Sequence, residues 1–424
     1  MTSFIEFLYS RFLLSDGVSI DTRTITKGNL YFALKGPNFN ANKYATKALE
    51  LGAAYAVVDE EEYVTDERII LADDAQKSLQ ELAAFHRSRF KRPVLGLTGS
   101  NGKTTTKELI NRVLATKYIT HATKGNLNNH LGVPLTLLHI HPQVEVAIIE
   151  MGANHVGEIA ELCGYANPTH GLITNIGEAH TELFGGIEGV LRGKSELFDH
   201  LRQKNGKAFI NVDDFRLENM AKRFTDPVLF PAEDLKLIDA NPYLIIKLGD
   251  QEVQTNLVGR YNYGNIAAAV AVGREFGVAD DQVLEAIASY IPENQRSQII
   301  KKNSVTIIND CYNANPTSMK AALDNLESMT GKKAVILGEM KELQDAVDRH
   351  LDVGRWIKKA GFDQVILVGR HMIAAEQLLE NVYWFETVEA ARPFLEKRNF
   401  KDYTVLIKGS RSGKLDRVAE MIKE

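Results

Sequence analysis

A chain of 424 residues is too long for one hydrophobic core and implies about two to four domains of ordinary size. With 44% hydrophobic and 25% charged residues and a formal charge of −5 without any basic block, the composition is that of a soluble globular protein and argues against nucleic acid as a partner. Its two cysteines, Cys163 and Cys311, make neither a disulfide framework nor a metal-spaced cluster, which fits a reducing cytoplasm.

The opening MTSFIEFLYSRFLLSDG is broken by Glu6 and Arg11 and lacks a basic start or small-residue cleavage site, so it is not read as a signal peptide. No apolar run is long enough to span a bilayer, and no membrane partner is expected. From Val18 to about Phe90 short strands and helices alternate: LYFALKG (30–36) is strand-like, ANKYATKALELG (41–52) helical and AYAVVD (54–59) a buried strand. A long amphipathic helix follows, with Asp73 and Asp74 at the N-cap position and a basic end, HRSRFKR. In the polar turn DTRTITKG, Arg23 either holds an anionic ligand or pairs with Asp21 on the surface.

The stretch PVLGLTGSNGKTTTKELINRVL (93–114) reads as buried strand, phosphate loop and helix. Gly99 and Gly102 remove side chains where main-chain N–H groups close on a phosphate, Lys103 adds a flexible cation, and Thr104 offers a hydroxyl to Mg²⁺. Only two residues, Ser100 and Asn101, separate these glycines where the generic pattern has four.

Next, ATKGNLNNHLGVPLTLL (122–138) is dense in Gly and Asn ahead of a helix; the amides of Asn126, Asn128 and Asn129 either form turns or line a site for a polar substrate. The strand Val146–Ile149 runs directly into Glu150, a carboxylate at the end of a parallel strand and so a candidate Mg²⁺ ligand. Strand 172–174 leads into a loop carrying His180, by itself an ordinary structural histidine. Lys194 falls in the second half of the helix GIEGVLRGKSELFDHL, either solvated, paired with Glu196 or Asp199, or returned to the same crevice.

KAFINVDD (207–214) is a further strand, and the alternation over 227–259, with a Gly-Asp turn, predicts an antiparallel flap. A small-residue helix starts at 262–264, where Asn265 either meets an adenine edge or packs the helix end. The polar IPENQRSQ (291–298) marks a boundary, beyond which VTIIND, KAVILG, QVILVG and YTVLIKG alternate with helices beginning near Pro316, Asp345, Met372 and Leu415, the pattern of a parallel sheet. The loops DCYNANPTSM, GEMKELQD and KGSRSGK close those strands at the end where ligands bind.

TGSNGKTTTKE, ATKGNLNNHLGVPLTLL, EMGANHVGEIAEL, NIGEAH, DCYNANPTSM and KGSRSGK, in this order and spacing, resemble the Mur ligases over nearly the whole chain, and Tyr312, Asn313 and Asn315 favour the dipeptide-adding branch. The resemblance implies an α/β protein of three domains: a small UDP-sugar-binding unit (1–92), a central parallel-sheet ATPase unit with an antiparallel flap (93–296), and a Rossmann-like ligase unit (297–424). It implies that Gly99, Ser100, Asn101, Gly102, Lys103, Thr104 and Thr105 hold the ATP phosphates and that Asn265, Arg296 and Asp310 contact the nucleotide. By the same likeness Thr104 and Glu150 hold one Mg²⁺, while His180 and a CO₂-carbamylated Lys194 hold a second. Lys103, His180 and Lys194 are the implied catalytic groups. Asp21, Thr22, Arg23, Thr123, Asn126, Asn128, Asn129, Tyr312, Asn313, Asn315, Lys408, Ser410 and Arg411 are the implied substrate contacts. The sequence departs from the family at NFNANKY (38–44), at Glu339 and Gln344, and at Gly413.

The implied reaction is ATP-driven joining of D-alanyl-D-alanine to a UDP-N-acetylmuramoyl-tripeptide by a cytoplasmic monomer, in cell-wall synthesis. Closure is expected at two hinges, near Phe90–Pro93 and near Pro292–Ser297. A folylpolyglutamate synthase shares the reaction class but has no such unit ahead of its phosphate loop, and a nucleotide switch without ligase activity leaves Glu150, His180 and Lys194 without a purpose.

Overall fold

The structure, a computed structural model, describes residues 3–293 and 295–423; the first two residues of the opening segment and Asn294, inside the polar boundary stretch, lie outside them. The opening segment is a helix, Phe4–Leu13, started by a reciprocal cap in which Ser3 and Glu6 satisfy each other's backbone N–H groups. Behind it stands a parallel sheet of four strands in the order Val18–Ser19, Leu30–Phe32, Tyr55–Val58, Ile69–Leu71. The strand expected over 30–36 stops at Phe32, where the Leu34 N–H turns back onto the Phe32 carbonyl (3.2 Å), and the chain enters a small hairpin, Lys35–Gly36 with Phe39–Asn40. Asp74 caps the long helix Ala75–Arg89 as expected, accepting from the Lys77 N–H at 2.8 Å.

The central sheet has six parallel strands in the order Val228–Phe230, Lys207–Asn211, His170–Ile173, Val94–Thr98, Val146–Glu150, Thr120–Ala122. Val228–Phe230, read from sequence as part of the flap, instead pairs parallel with Lys207–Asn211 at the edge of this sheet, with Phe230 buried and Leu229 left exposed. The flap proper is Leu235–Ala240, Tyr243–Leu248 and Gln251–Val258, all antiparallel.

The third sheet runs Gln298–Lys302, Val305–Asp310, Tyr403–Lys408, Lys332–Gly338, Gln364–Val368, Val382–Phe385; the first strand is antiparallel and the other five parallel. Both edge strands, and the helix Val388–Leu395, are additions to the sequence reading. Lys194 lies at the middle of its helix, Ile187–Gln203, rather than in the second half.

One apolar core crosses the first boundary. Leu8, Phe12, Leu30, Val57 and Leu79 of the N-terminal unit pack in the same buried cluster as Val94, Val133, Ile149, Leu162 and Leu197 of the central one. Arg87 pins the seam by donating to the carbonyls of Ala166 (2.7 Å), Asn167 (2.7 Å) and Phe90 (2.6 Å). The expected hinge at Phe90–Pro93 is therefore a weld: opening it would expose this core to water. Among the described residues no helix is long and apolar enough to cross a membrane.

Candidate active site

The phosphate loop is shaped by the residues packed against it. Gly99 has φ +146°, and a Cβ there would lie 1.9 Å from Thr174 Oγ1; Gly102 has φ +79°, and a Cβ there would lie 2.3 Å from Asn265 Oδ1. Between them the backbone is tied down by the adjacent strand end: the Ser100 N–H donates to the Asn175 carbonyl (3.0 Å) and the Asn101 N–H to Asn175 Oδ1 (3.0 Å). The Asn101 carbonyl accepts from Thr174 Oγ1 (2.6 Å) and Asn175 Nδ2 (3.0 Å). Helix Lys103–Leu114 opens directly beneath, with the N–H groups of its first turn, Thr104 and Thr105 included, at the positive end of the helix dipole. Lys103 folds over the loop, its Nζ donating to the Gly99 (2.8 Å) and Ser100 (3.4 Å) carbonyls. Burial holds this ammonium below its ordinary pKa; Glu150 opposes the shift and Arg296 adds to it.

Glu150 stands at the neighbouring strand end, 1% exposed, accepting from Thr104 Oγ1 (2.9 Å) and Asn128 Nδ2 (2.8 Å). Thr123 supports it from behind: its hydroxyl accepts the Glu150 N–H (2.9 Å), and its carbonyl accepts from the buried Lys107 (2.7 Å). Thr123 is thus a prop for the site rather than part of the cleft wall. The asparagines divide in function. Asn129 Oδ1 accepts the Gly132 N–H (2.9 Å) at the start of helix Gly132–Leu138, Asn126 accepts the Asn128 N–H (2.8 Å) through its backbone in an exposed turn, and Asn128 alone reaches the carboxylate.

His180 occupies a left-handed conformation, φ +57°, and its Nδ1 is paired with Glu342 from the C-terminal unit; burial pushes the imidazole below its ordinary pKa against the pull of Glu342. Lys194 is 1% exposed and donates to the Ala153 carbonyl at 3.1 Å, with the Phe184 ring centroid 5.2 Å away. Neither expected carboxylate meets it. Glu196 accepts the N–H groups of Gly157 (2.6 Å) and Ala160 (2.8 Å), and Asp199 is bound by Arg223. Burial, reinforced by the charge of Lys103, drives the Lys194 pKa well below its ordinary value.

The facing wall comes from the boundary and the C-terminal sheet. Arg296 lies over the Tyr312 ring at 3.7 Å, and its buried Nη1 has no hydrogen-bond partner. Lys408 bridges to Asp310 (2.5 Å), whose other oxygen accepts the Ser297 N–H (3.0 Å). Asn315 caps helix Pro316–Ser328, Asn313 Oδ1 accepts the Ala314 N–H (2.9 Å), and Ser410 Oγ accepts the Lys341 N–H (3.1 Å). Asn265, offered from sequence as an adenine contact or a packing residue, lines the cleft, and its amide links Thr106 Oγ1 (2.9 Å) to Asn262 Oδ1 (2.7 Å).

These walls enclose one open cleft of about 610 Å³, lined by Ser100 to Thr105, Asn128, Asn129, Glu150, His180, Asn265, Arg296, Asp310, Tyr312, Asn313, Asn315 and Lys408. Gly99, Thr123, Asn126, Lys194, Ser410 and Arg411 stand behind or beside it, Arg411 being exposed with its guanidinium 5.8 Å from the Tyr312 ring. Asp21, Thr22 and Arg23 do not line it. There Arg23 closes on Asp21 at 2.6 Å in the open, holding the Asp21 carboxyl at about 2. The cleft also includes Asn175, Glu158, Thr317 and Tyr261, to which the sequence assigns no individual role although the first three fall within NIGEAH, EMGANHVGEIAEL and DCYNANPTSM. For Asn175 the signals are its place just past the carboxyl end of a buried parallel strand and at the head of NIGEAH. Among the described residues, no group of three or more His, Cys, Asp or Glu side chains is arranged to hold a metal by itself.

Three consecutive family models match the chain: "Mur ligase family, catalytic domain" over 15–93, "Mur ligase middle domain" over 97–273, and "Mur ligase, glutamate ligase domain" over 295–411. The UDP-N-acetylmuramoyl-tripeptide--D-alanyl-D-alanine ligases of Bacillus subtilis and Escherichia coli are 34% and 33% identical to it, each across 96% of this chain and 93% and 94% of their own. A crystal structure of MurF from Acinetobacter baumannii superposes with a TM-score of 0.86 at 30% identity, over 96% of this chain and 93% of that one. MurF from Thermotoga maritima in complex with ADP gives a TM-score of 0.84 at 28% identity, over 97% of each. A phosphate loop preset by its neighbours, an opposing wall of C-terminal strand ends, and likeness carried from one end of the chain to the other lead to one conclusion: the chain belongs to the Mur ligase family.

Proposed function

We propose that this chain is the ADP-forming ligase that joins D-alanyl-D-alanine to UDP-N-acetylmuramoyl-tripeptide, using ATP and giving the pentapeptide precursor of the cell wall. The observation that carries this reading is the single cleft in which the phosphate loop faces the strand ends of a second α/β unit. A phosphoryl donor and an acceptor peptide can then meet where water is scarce. The tripeptide carboxylate oxygen attacks the γ-phosphorus and the bond to ADP breaks; the dipeptide nitrogen then attacks the acyl carbon, phosphate departs, and the nitrogen loses a proton. Neither step calls for a protein nucleophile. The chain contributes charge and orientation, Lys103 and the helix N-terminus at the phosphates, and the unpartnered Arg296 Nη1 on the nucleotide side.

The donor set fits divalent cations. Mg²⁺ uses one or two carboxylates and completes its shell with phosphate oxygens and water, so Thr104 and Glu150 suffice for one ion despite the lack of a three-carboxylate cluster. A second would be held by His180 and Lys194. Carbamylation needs a neutral amine, and burial supplies that condition at Lys194. When bound, the two ions compensate the charge of the phosphate oxygens. Asp21, Thr22 and Arg23 would serve the UDP end of the substrate, and Tyr312, Asn313, Lys408, Ser410 and Arg411 the dipeptide side. We assign the reaction to the cytoplasm and to a monomer.

The test is product analysis with protein, ATP, Mg²⁺, D-alanyl-D-alanine and UDP-muramoyl tripeptides ending in lysine or diaminopimelate. Only the full mixture is expected to yield the pentapeptide with equimolar phosphate. Equal turnover of a folate with glutamate, or phosphate release without either peptide, would overturn the assignment.

A further inference from the structure

The phosphate loop and the C-terminal sheet belong to different units, yet one pair of side chains joins them directly. Asn315 Nδ2 donates to Asn101 Oδ1 at 2.7 Å, and the complementary Asn101 Nδ2 and Asn315 Oδ1 lie 3.5 Å apart. Each partner is fixed in its own frame. The Asn101 backbone is held by Thr174 and Asn175, whereas Asn315 is locked in a reciprocal cap with Ser318, Oδ1 accepting the Ser318 N–H at 2.9 Å and Ser318 Oγ accepting the Asn315 N–H at 3.1 Å. Two rigid frames joined by a directional bond meet in one register only.

The same two surfaces touch again around this point. Thr317 Oγ1 accepts the Glu178 N–H at 3.2 Å, Arg349 pairs with Glu178 at 3.1 Å, and Glu342 holds His180. These outer contacts are part-exposed, and solvent and salt weaken such pairs. The asparagine pair is the inner one, with Asn315 7% exposed, and it involves the loop residue that sits between the two phosphate-binding glycines.

We infer that Asn315 is a positioning residue: with Asn101 it forms an amide clasp that sets the register of the C-terminal unit on the phosphate loop. Building on the ligase reading above, the clasp places the incoming amine relative to the acyl group formed at the γ-phosphate. It acts on orientation, so it bears on the turnover step more than on the binding of either substrate.

The test uses the full chain with Asn315→Ser, Asn101→Ser and the double variant. Serine keeps the helix cap but is too short to span the gap, so folding is preserved, as melting curves will check. Each single variant is expected to lower kcat about tenfold, Asn315→Ser leaving the KM for UDP-tripeptide and the affinity for ADP within about twofold, and the double variant is expected to be no worse in kcat than Asn101→Ser. Small-angle scattering of the ADP-bound chain should show a larger radius of gyration for Asn315→Ser than for the parent. Multiplicative losses in the double variant, a loss in Asn315→Ser seated in the KM for UDP-tripeptide or in ADP affinity, or an unchanged radius of gyration would each overturn the clasp. Scattering and ADP affinity need no turnover, so a parent chain that ligates neither peptide would refute the ligase reading and leave the clasp to be judged on those two measurements.

Discussion

Lys194 and Lys408 are buried almost equally, at 1% and 2% exposure, but in unlike surroundings. Lys408, at a strand end of the C-terminal sheet, meets a carboxylate, Asp310, at 2.5 Å and a carbonyl, that of Asn313, at 3.3 Å. Lys194, inside the central unit, has a carbonyl at 3.1 Å and an aromatic face, and the carboxylates beside it in sequence are engaged elsewhere. The first arrangement gives the amine head an opposite charge; in the second, burial without one drives the Lys194 pKa down. Burial alone therefore says little about what a lysine does; the partner decides between a strut and a reactive group.

The largest expected effect breaks the strut. Lys408→Met leaves Asp310 buried without its cation and should lower unfolding free energy by about 3–5 kcal/mol in urea titration. A loss too small to measure would mean that the two lysines are equivalent after all. A third cation sharpens the contrast, since Lys103 also donates only to carbonyls but lines the cleft. Lys103→Ala should cut turnover about 10²-fold, with an unchanged melting curve, because its charge counts most as the phosphoryl group transfers.

Lys194→Met is expected to abolish ligation yet raise stability by about 1 kcal/mol near neutral pH, since it removes a buried amine that lacks a counter-charge. The sign follows from linkage. The native pKa lies below the unfolded value of 10.5, so between the two the unfolded state binds more protons and the parent gains stability as pH rises. The advantage of methionine should therefore be greatest at the acid end of that window and vanish toward its alkaline end. Lys194→Ala should recover part of its activity with short carboxylic acids, and Lys194→Arg should remain inactive because guanidinium cannot carry CO₂. Full activity in Lys194→Arg would exclude the carbamate. The smallest effect belongs to Arg23, whose exposed pair with Asp21 contributes little to the fold. Arg23→Ala should leave the melting temperature unchanged and raise only the KM for the UDP-linked substrate.

The phosphate loop and Glu150 were legible in the sequence because their chemistry is local: glycine spacing, a following Lys-Thr and a strand that ends in a carboxylate fix the geometry within a few residues. The asparagines between 126 and 129 were not separable, because a side-chain amide caps, turns or reaches a ligand according to what tertiary packing puts beside it. Asn265 and Asn175 follow the same rule, one drawn into packing behind Gly102 and the other found to hold the loop. The flap boundary was misplaced at Val228–Phe230 because a short apolar run carries no mark of whether it pairs in a parallel or an antiparallel sheet.

The core shared across the first boundary bears on how the protein comes apart. Leu8, Leu30 and Leu79 shield the same interior as Ile149 and Leu197, so residues 3–92 cut free would carry an oily face with nothing to cover it. Heating should accordingly melt the first two units in a single calorimetric peak, with the C-terminal unit free to contribute its own, and a severed N-terminal fragment should aggregate or bind hydrophobic dyes rather than fold. Across the second junction the sharing is slighter: among the described residues, Val258 of the flap, with Tyr243 packed beside it, joins the C-terminal core.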